Sequence, residues 1–324
     1  MAIIITYPSA IEYWLLEKGI RVPFYRHALD ARVKTKSVFA ETFSRQDQLY
    51  APDQFSFCLP LHLGVPKSAM REETDSLKMH LLSEHLPDNS FVEVAAGVYV
   101  CSPELCFLQA ARDLSLHELV LLGNELCAIY KRDPYSPYNQ SRRDMLMTKK
   151  SLNKFLDGAK DIKGVKNAKR AAQYILERAN SPIEARLAVL AALPFRYGGY
   201  GLKNTLLNYF VRMTPKGAEH LGRTSCCCDM VWKEEKVVLE YDSNLSHLDI
   251  DQHFYDKKRS TALTFSGYKV ISVTAEQIRD FRGIEQLFLS VRNAVGLKNR
   301  KDIVQKYFEL RREVIQRIMF TEFI

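Results

Sequence analysis

Residues 225–243 constrain the fold more than any other stretch: SCCCDMVW, then KEEK, then VVLEYDS. Two runs rich in Val, Leu, Tyr and Trp flank a short polar turn, which is the pattern of an antiparallel hairpin. In the second run, alternation puts Val238, Glu240 and Asp242 on one face and Val237, Leu239 and Tyr241 on the other. Two carboxylates on a strand otherwise suited to burial require compensation, because an uncompensated buried charge is costly. Asp229, in the first run, lies close to Glu240 if the hairpin pairs in the matching register.

The flanking segments extend this hairpin into an α/β unit. Ser181-Pro182-Ile183-Glu184 predicts a helix start, with Ser as cap, Pro in the first turn and Glu at the third helical position. Ile183, Leu187, Leu190 and Ala191 form its apolar stripe, which ends near Pro194. A Gly- and Tyr-rich turn, FRYGGYG, leads to a strand over 207–213. After the hairpin, Phe254, Ala262 and Phe265 recur at helical spacing, a strand follows over 268–273, and Thr274 with Gln277 caps the next helix. The order is helix, three strands, helix, strand, helix, with the last strand joined by a right-handed crossover. Further helices are predicted over 284–291 and 302–320.

The first half is quieter. Ser9-Ala10-Ile11-Glu12 predicts a capped helix that turns Ile11, Trp14 and Leu15 inward. FVEVAAGVYV, at 91–100, reads as two short strands about Gly97, and helices are expected from Ser102 and from Ser115. KRDPYSPYNQSRR, at 131–143, has the turn formers of a surface loop. Residues 141–170 hold ten Lys or Arg against three Asp. Within them Lys163, Lys166, Lys169 and Arg170 form either a solvated helix face or a surface for phosphate.

A chain of 324 residues exceeds what one core comfortably fills. The expected division is a mixed domain over 1–130, a basic linker or helical segment over 131–176, an α/β domain over 177–295 and a C-terminal helix over 296–324. At 47% hydrophobic and 26% charged, the composition excludes collagen-like and disordered chains, and the net charge of +8 permits a polyanionic partner. The seven cysteines, with Cys226-Cys227-Cys228 adjacent, make a poor disulfide framework and lack zinc-site spacing, so they read as buried side chains in a reducing compartment. No run approaches the ~20 apolar residues of a spanning helix. The first residues also lack the form of a signal peptide. A cytoplasmic protein without a membrane segment is expected.

Each acidic residue has a local explanation: Glu184 as a helix cap, Asp229 as a strand end, Glu240 and Asp242 as a solvated face. Likewise His247 suits a polar loop, and Lys257 to Arg259 suit a solvated helix face. Taken together, SPIEARL at 181–187, CDMVW at 228–232, VVLEYDSNLSH at 237–247 and FYDKKRSTALTFSGYKVISVTAEQI at 254–278 resemble the PD-(D/E)XK superfamily. The resemblance is to the branch related to very-short-patch-repair endonucleases, often met in bacterial proteins. It implies a restriction-endonuclease-like domain, a mixed central sheet flanked by helices, beside a smaller N-terminal mixed domain: α/β in the C-terminal part, α+β overall.

The resemblance also implies Mg²⁺ or Mn²⁺ held by Glu184, Asp229 and Glu240, with Asp242 where the usual lysine stands and His247 at a matching histidine. Lys257 completes the candidate catalytic set. Lys163, Lys166, Lys169, Arg170 and Arg259 are the candidate nucleic-acid contacts. The implied activity is metal-dependent hydrolysis of DNA phosphodiester bonds. The alternatives are a non-catalytic DNA-binding regulator or antitoxin-like protein that keeps the scaffold, and a protein-interaction module. The N-terminal half loosely resembles abortive-infection antitoxin proteins, and nothing in the chain specifies a protein partner.

Overall fold

The computed structural model describes residues 3–15, 32–33, 38, 58–70, 73–132, 140–242 and 250–321. The chain divides into two compact units, Met1–Gln173 and Tyr174–Phe323. Both are mixed α/β, with sheets flanked by helices.

The first unit opens with β1 (Ile3–Ile5), α1 (Ser9–Leu15), β2 (Arg32–Val33), β3 (Leu61–Val65), β4 (Leu77–Leu81), β5 (Phe91–Ala95) and β6 (Val98–Cys101). These strands form one sheet in the order β2-β5-β6-β1-β3-β4. Strand β1 runs parallel to β6 and antiparallel to β3, and its three isoleucines are all buried. A short all-apolar run suits such a strand because both faces are covered. Gly97, at φ 73°, turns β5 into β6 as its position predicts. Helices α2 (Pro103–Ala110) and α3 (Leu116–Leu126) start at Ser102 and Ser115, whose side chains accept backbone N–H groups of the first turn.

The segment expected as a surface loop begins and ends as a hairpin, β7 (Tyr130–Arg132) with β8 (Gln140–Arg142). Arg143 then points inward and donates to the carbonyls of Trp14 at 2.8 Å and Glu125 at 2.6 Å. Helices α4 (Lys149–Gly158) and α5 (Val165–Ala172) follow. The basic segment is therefore no separate linker: up to Gln173 it belongs to the first unit. Alanine explains this, since Ala168, Ala171 and Ala172 are buried where α5 packs on α2 and α3. Lys163 does not share the helical face of the other cations, because Gly164 takes a left-handed turn at φ 97° and the helix starts after it.

The second unit runs α6 (Pro182–Ala192), β9 (Leu206–Arg212), α7 (Pro215–Leu221), β10 (Ser225–Trp232), β11 (Val237–Asp242), α8 (Ile250–Phe265), β12 (Lys269–Thr274), α9 (Phe281–Ala294), α10 (Lys301–Lys306) and α11 (Phe308–Phe320). Its sheet has the order β12-β11-β10-β9, antiparallel from β9 to β11 and parallel between β11 and β12. The predicted hairpin is present, with Met230 opposite Leu239 and Trp232 opposite Val237. The short helix α7 is an addition between the first two strands; Thr214 caps it, Pro215 opens it and Gly222 ends it at φ 76°.

Thr274 and Gln277 do exchange hydrogen bonds, but they close only the 3₁₀ turn Glu276–Ile278, and Asp280 caps α9 instead. The predicted C-terminal helix breaks at Tyr307 into α10 and α11. Helix α11 packs into the second unit's core. The Arg311 side chain is fully buried and donates to both oxygens of Glu285, at 3.0 and 2.7 Å, while the Tyr200 hydroxyl donates to Glu285 at 2.5 Å. On the sheet, Val211, Met213, Cys226, Cys228, Val231 and Val238 pack with Ala262 and Leu263 of α8. All seven cysteines are free. Among the described residues, no helix is long and apolar enough to cross a membrane.

Candidate functional site

The acids meet at an irregular level of the sheet. The β9–β10 register is the same on either side of it, with Cys228 opposite Tyr209 and Met230 opposite Leu207, and the pairing skips Asp229 between them. At that level Asn208 on β9 holds φ 46°, a left-handed conformation inside a strand. The Asp229 Oδ2 turns along the sheet and accepts the Tyr241 N–H of β11 at 2.8 Å.

Glu240 lies on the α8 side of β11. Its Oε2 accepts from Arg259 of α8 at 2.9 Å, and its Oε1 is buried with no hydrogen-bond partner. Glu184 is buried in the first turn of α6. There it accepts from the Asn180 N–H at 2.9 Å, the Ser181 hydroxyl at 2.9 Å and the Asn208 amide at 2.5 Å. The helix-capping explanation of Glu184 thus describes its local bonds, and Asn208 ties the same carboxylate to the sheet.

The charge of Asp229 acts on both glutamates. Burial first, and then the charge of Asp229, pushes Glu184 from 4.5 to about 7, against its hydrogen bonds from Asn180, Asn208 and Ser181. The same two causes push Glu240 from 4.5 to about 8, with Arg259 and then the neighbouring Cys228 thiol opposing. Asp229 is itself raised by burial, while the Tyr241 N–H and Arg259 pull it down. Clustered carboxylates held short of full ionisation are a recurrent property of functional sites.

Among the described residues, no group of three or more His, Cys, Asp and Glu side chains is arranged to hold a metal ion. Glu184 has both oxygens engaged, so the atoms that suit a divalent cation belong to Asp229 and to the unpartnered Oε1 of Glu240. Hard oxygens of this kind suit Mg²⁺, which keeps several waters and needs only one or two carboxylates.

The remaining candidates are more dispersed. Asp242 is half-buried at the end of β11, opposite Thr274, and its charge raises the Tyr241 hydroxyl after the effect of burial. Lys257 is exposed on α8. Arg259, expected on phosphate, is bound to Glu240. His247 lies outside the described residues. Lys163, Lys166, Lys169 and Arg170 are exposed on the first unit, and Lys169 pairs with Asp157 at 2.7 Å.

Two contributors were not foreseen, Asn208 and Arg178. The Arg178 carbonyl accepts from Asn208 at 2.9 Å, and Arg178 has φ 73°. The one available signal was an Asn inside an apolar strand, a residue type that tolerates positive φ. No protein family, curated protein or solved structure matches the chain.

Proposed function

We propose that the second unit is a restriction-endonuclease-like domain that hydrolyses DNA phosphodiester bonds with Mg²⁺ or Mn²⁺, in a cytoplasmic protein. The observation that supports this most is the juxtaposition of Asp229 with a buried Glu240 whose Oε1 has no partner. The order of elements around it, α6-β9-β10-β11-α8-β12, agrees with that scaffold once α7 is set aside.

Asp229 and Glu240 would hold the cation in this reading. Held there, it would supply a lowered pKa for an attacking water and positive charge against the phosphodiester oxygens. Glu184 and Asn208 hold the irregular level of β9 beside Asp229, and so aim its carboxylate. Arg259 supplies the positive charge that Asp242 cannot, by moving from Glu240 toward the phosphate. Asp242 orients water, His247 transfers a proton, and the exposed cations of α5 hold the DNA backbone.

The test is nicking of supercoiled DNA by the wild type, Asp229→Ala and Glu240→Ala, with Mg²⁺, Mn²⁺ or EDTA. Cleavage is expected with either metal and not with EDTA, and each variant should lose roughly 10²–10³-fold in rate. Unchanged cleavage by both variants sinks the assignment.

One observation favours a second reading, a non-catalytic DNA-binding regulator or antitoxin-like protein. The Glu240–Arg259 ion pair already neutralises the central acid, and Asp242 stands where a lysine would. That protein would bind DNA with a steep salt dependence and show no nicking with any metal.

A further inference from the structure

The first unit contains a half-open cleft of about 250 Å³ between α2, the chain after β4 and the loop before α5. Leu81, Leu86 and Ile162 present the accessible aliphatic surface of the cleft, over Leu82, Leu105 and Leu108, which are themselves buried. At the rim stand Arg112 and Lys163, both exposed and neither in an ion pair among the described residues, against a single acid, Asp161.

Three properties narrow the occupant. None of the lining residues is aromatic, so the cleft lacks the stacking platform that nucleobases use. An aliphatic surface suits an alkyl chain instead. The rim has a net positive charge, which suits an anionic head. The volume corresponds to roughly eight water-sized groups at ~30 Å³ each, below the ~300 Å³ typical of drug-sized ligands.

We infer that this cleft binds a free aliphatic monocarboxylate of about octanoate length, with its chain on Leu81, Leu86 and Ile162 and its head between Arg112 and Lys163. The inference is independent of any activity of the second unit.

Octanoate is the probe, titrated into the full chain and followed by leucine-methyl NMR and calorimetry. Saturable one-to-one binding is expected, with shifts centred on Leu81 and Leu86. The surface double variant R112A/K163A, which leaves the aliphatic surface intact, should bind about tenfold more weakly, and octanol should resemble octanoate on that variant. Equal affinity of wild type and double variant overturns the inference, as does absence of saturable binding. Binding to anionic lipid vesicles without binding of free octanoate also overturns it, by making the cleft a membrane contact.

Discussion

Glu240 joins two opposed effects in one side chain. Burial and Asp229 favour its protonated form, while Arg259 at 2.9 Å favours the carboxylate, and the balance leaves it near 8. Because the folded value lies above the ordinary 4.5, the folded state holds a proton that the unfolded state has released between these limits. Stability attributable to this group is therefore full below about 4.5 and falls as pH rises through about 8. Glu184 acts in the same sense up to about 7.

Glu240→Gln, which cannot ionise, is expected to flatten this fall, so that the variant gains on the wild type between pH 5 and pH 8 in urea unfolding. Parallel curves for the two proteins would remove Glu240 as the source. Arg259→Leu should act oppositely, leaving Glu240 without its cation and costing about 2 kcal/mol at pH 9 but less at pH 6, measured the same way. The acids themselves were legible in the sequence, since carboxylates on a Val- and Leu-rich strand stand out. Their mutual charge effects were not, because these depend on depth and separation.

At the scale of elements, β9 and α6 are fastened to each other through one amide. Asn208 donates to Glu184 and to the Arg178 carbonyl from a backbone at φ 46°. A β-branched residue in that conformation is strained by about 1–2 kcal/mol. Asn208→Val should therefore lower stability by more than Asn208→Gly, which loses the same amide bonds without backbone strain; equal melting temperatures would refute the strain. Ser181→Ala removes the cap and one hydrogen bond to Glu184, and should cost about 1 kcal/mol in chemical unfolding.

Hairpin, strand order and most helix starts could be read from the sequence because caps, turns and alternation are local signals. The irregular level at Asp229 could not, since nothing in SCCCDMVW marks it and it lies beside Asn208, 21 positions earlier, on another strand.

For the whole molecule, the decisive contact is also distant in sequence. Arg311 and Glu285 form a buried pair, and Val314, Ile315 and Ile318 bury the rest of that face of α11. Each such aliphatic side chain contributes about 1.5–3 kcal/mol, so their sum rivals the ~5–15 kcal/mol by which a domain is stable. A chain ending at Tyr307 is expected to lose the cooperative unfolding of the second unit. The two tryptophans report separately, Trp14 from the first unit and Trp232 from the second, both buried. In single-tryptophan variants, Trp232 emission should shift to the red on truncation while Trp14 emission stays. A Trp232 signal unchanged by truncation would show that α11 is dispensable.

By itself, the sequence determined the hairpin and most of the strands and helices of the second unit, apart from α7 and the break at Tyr307, and the residues at which negative charge had to be accommodated. These follow from periodicity, capping and the cost of burying charge, all of which act over a few residues. Only the tertiary structure decided that the basic segment packs into the first unit, that α11 completes the second, that Arg259 faces Glu240, and that the β9–β10 pairing skips Asp229. Those outcomes rest on contacts between residues far apart in the chain, and no local pattern records the depth or register at which such residues meet.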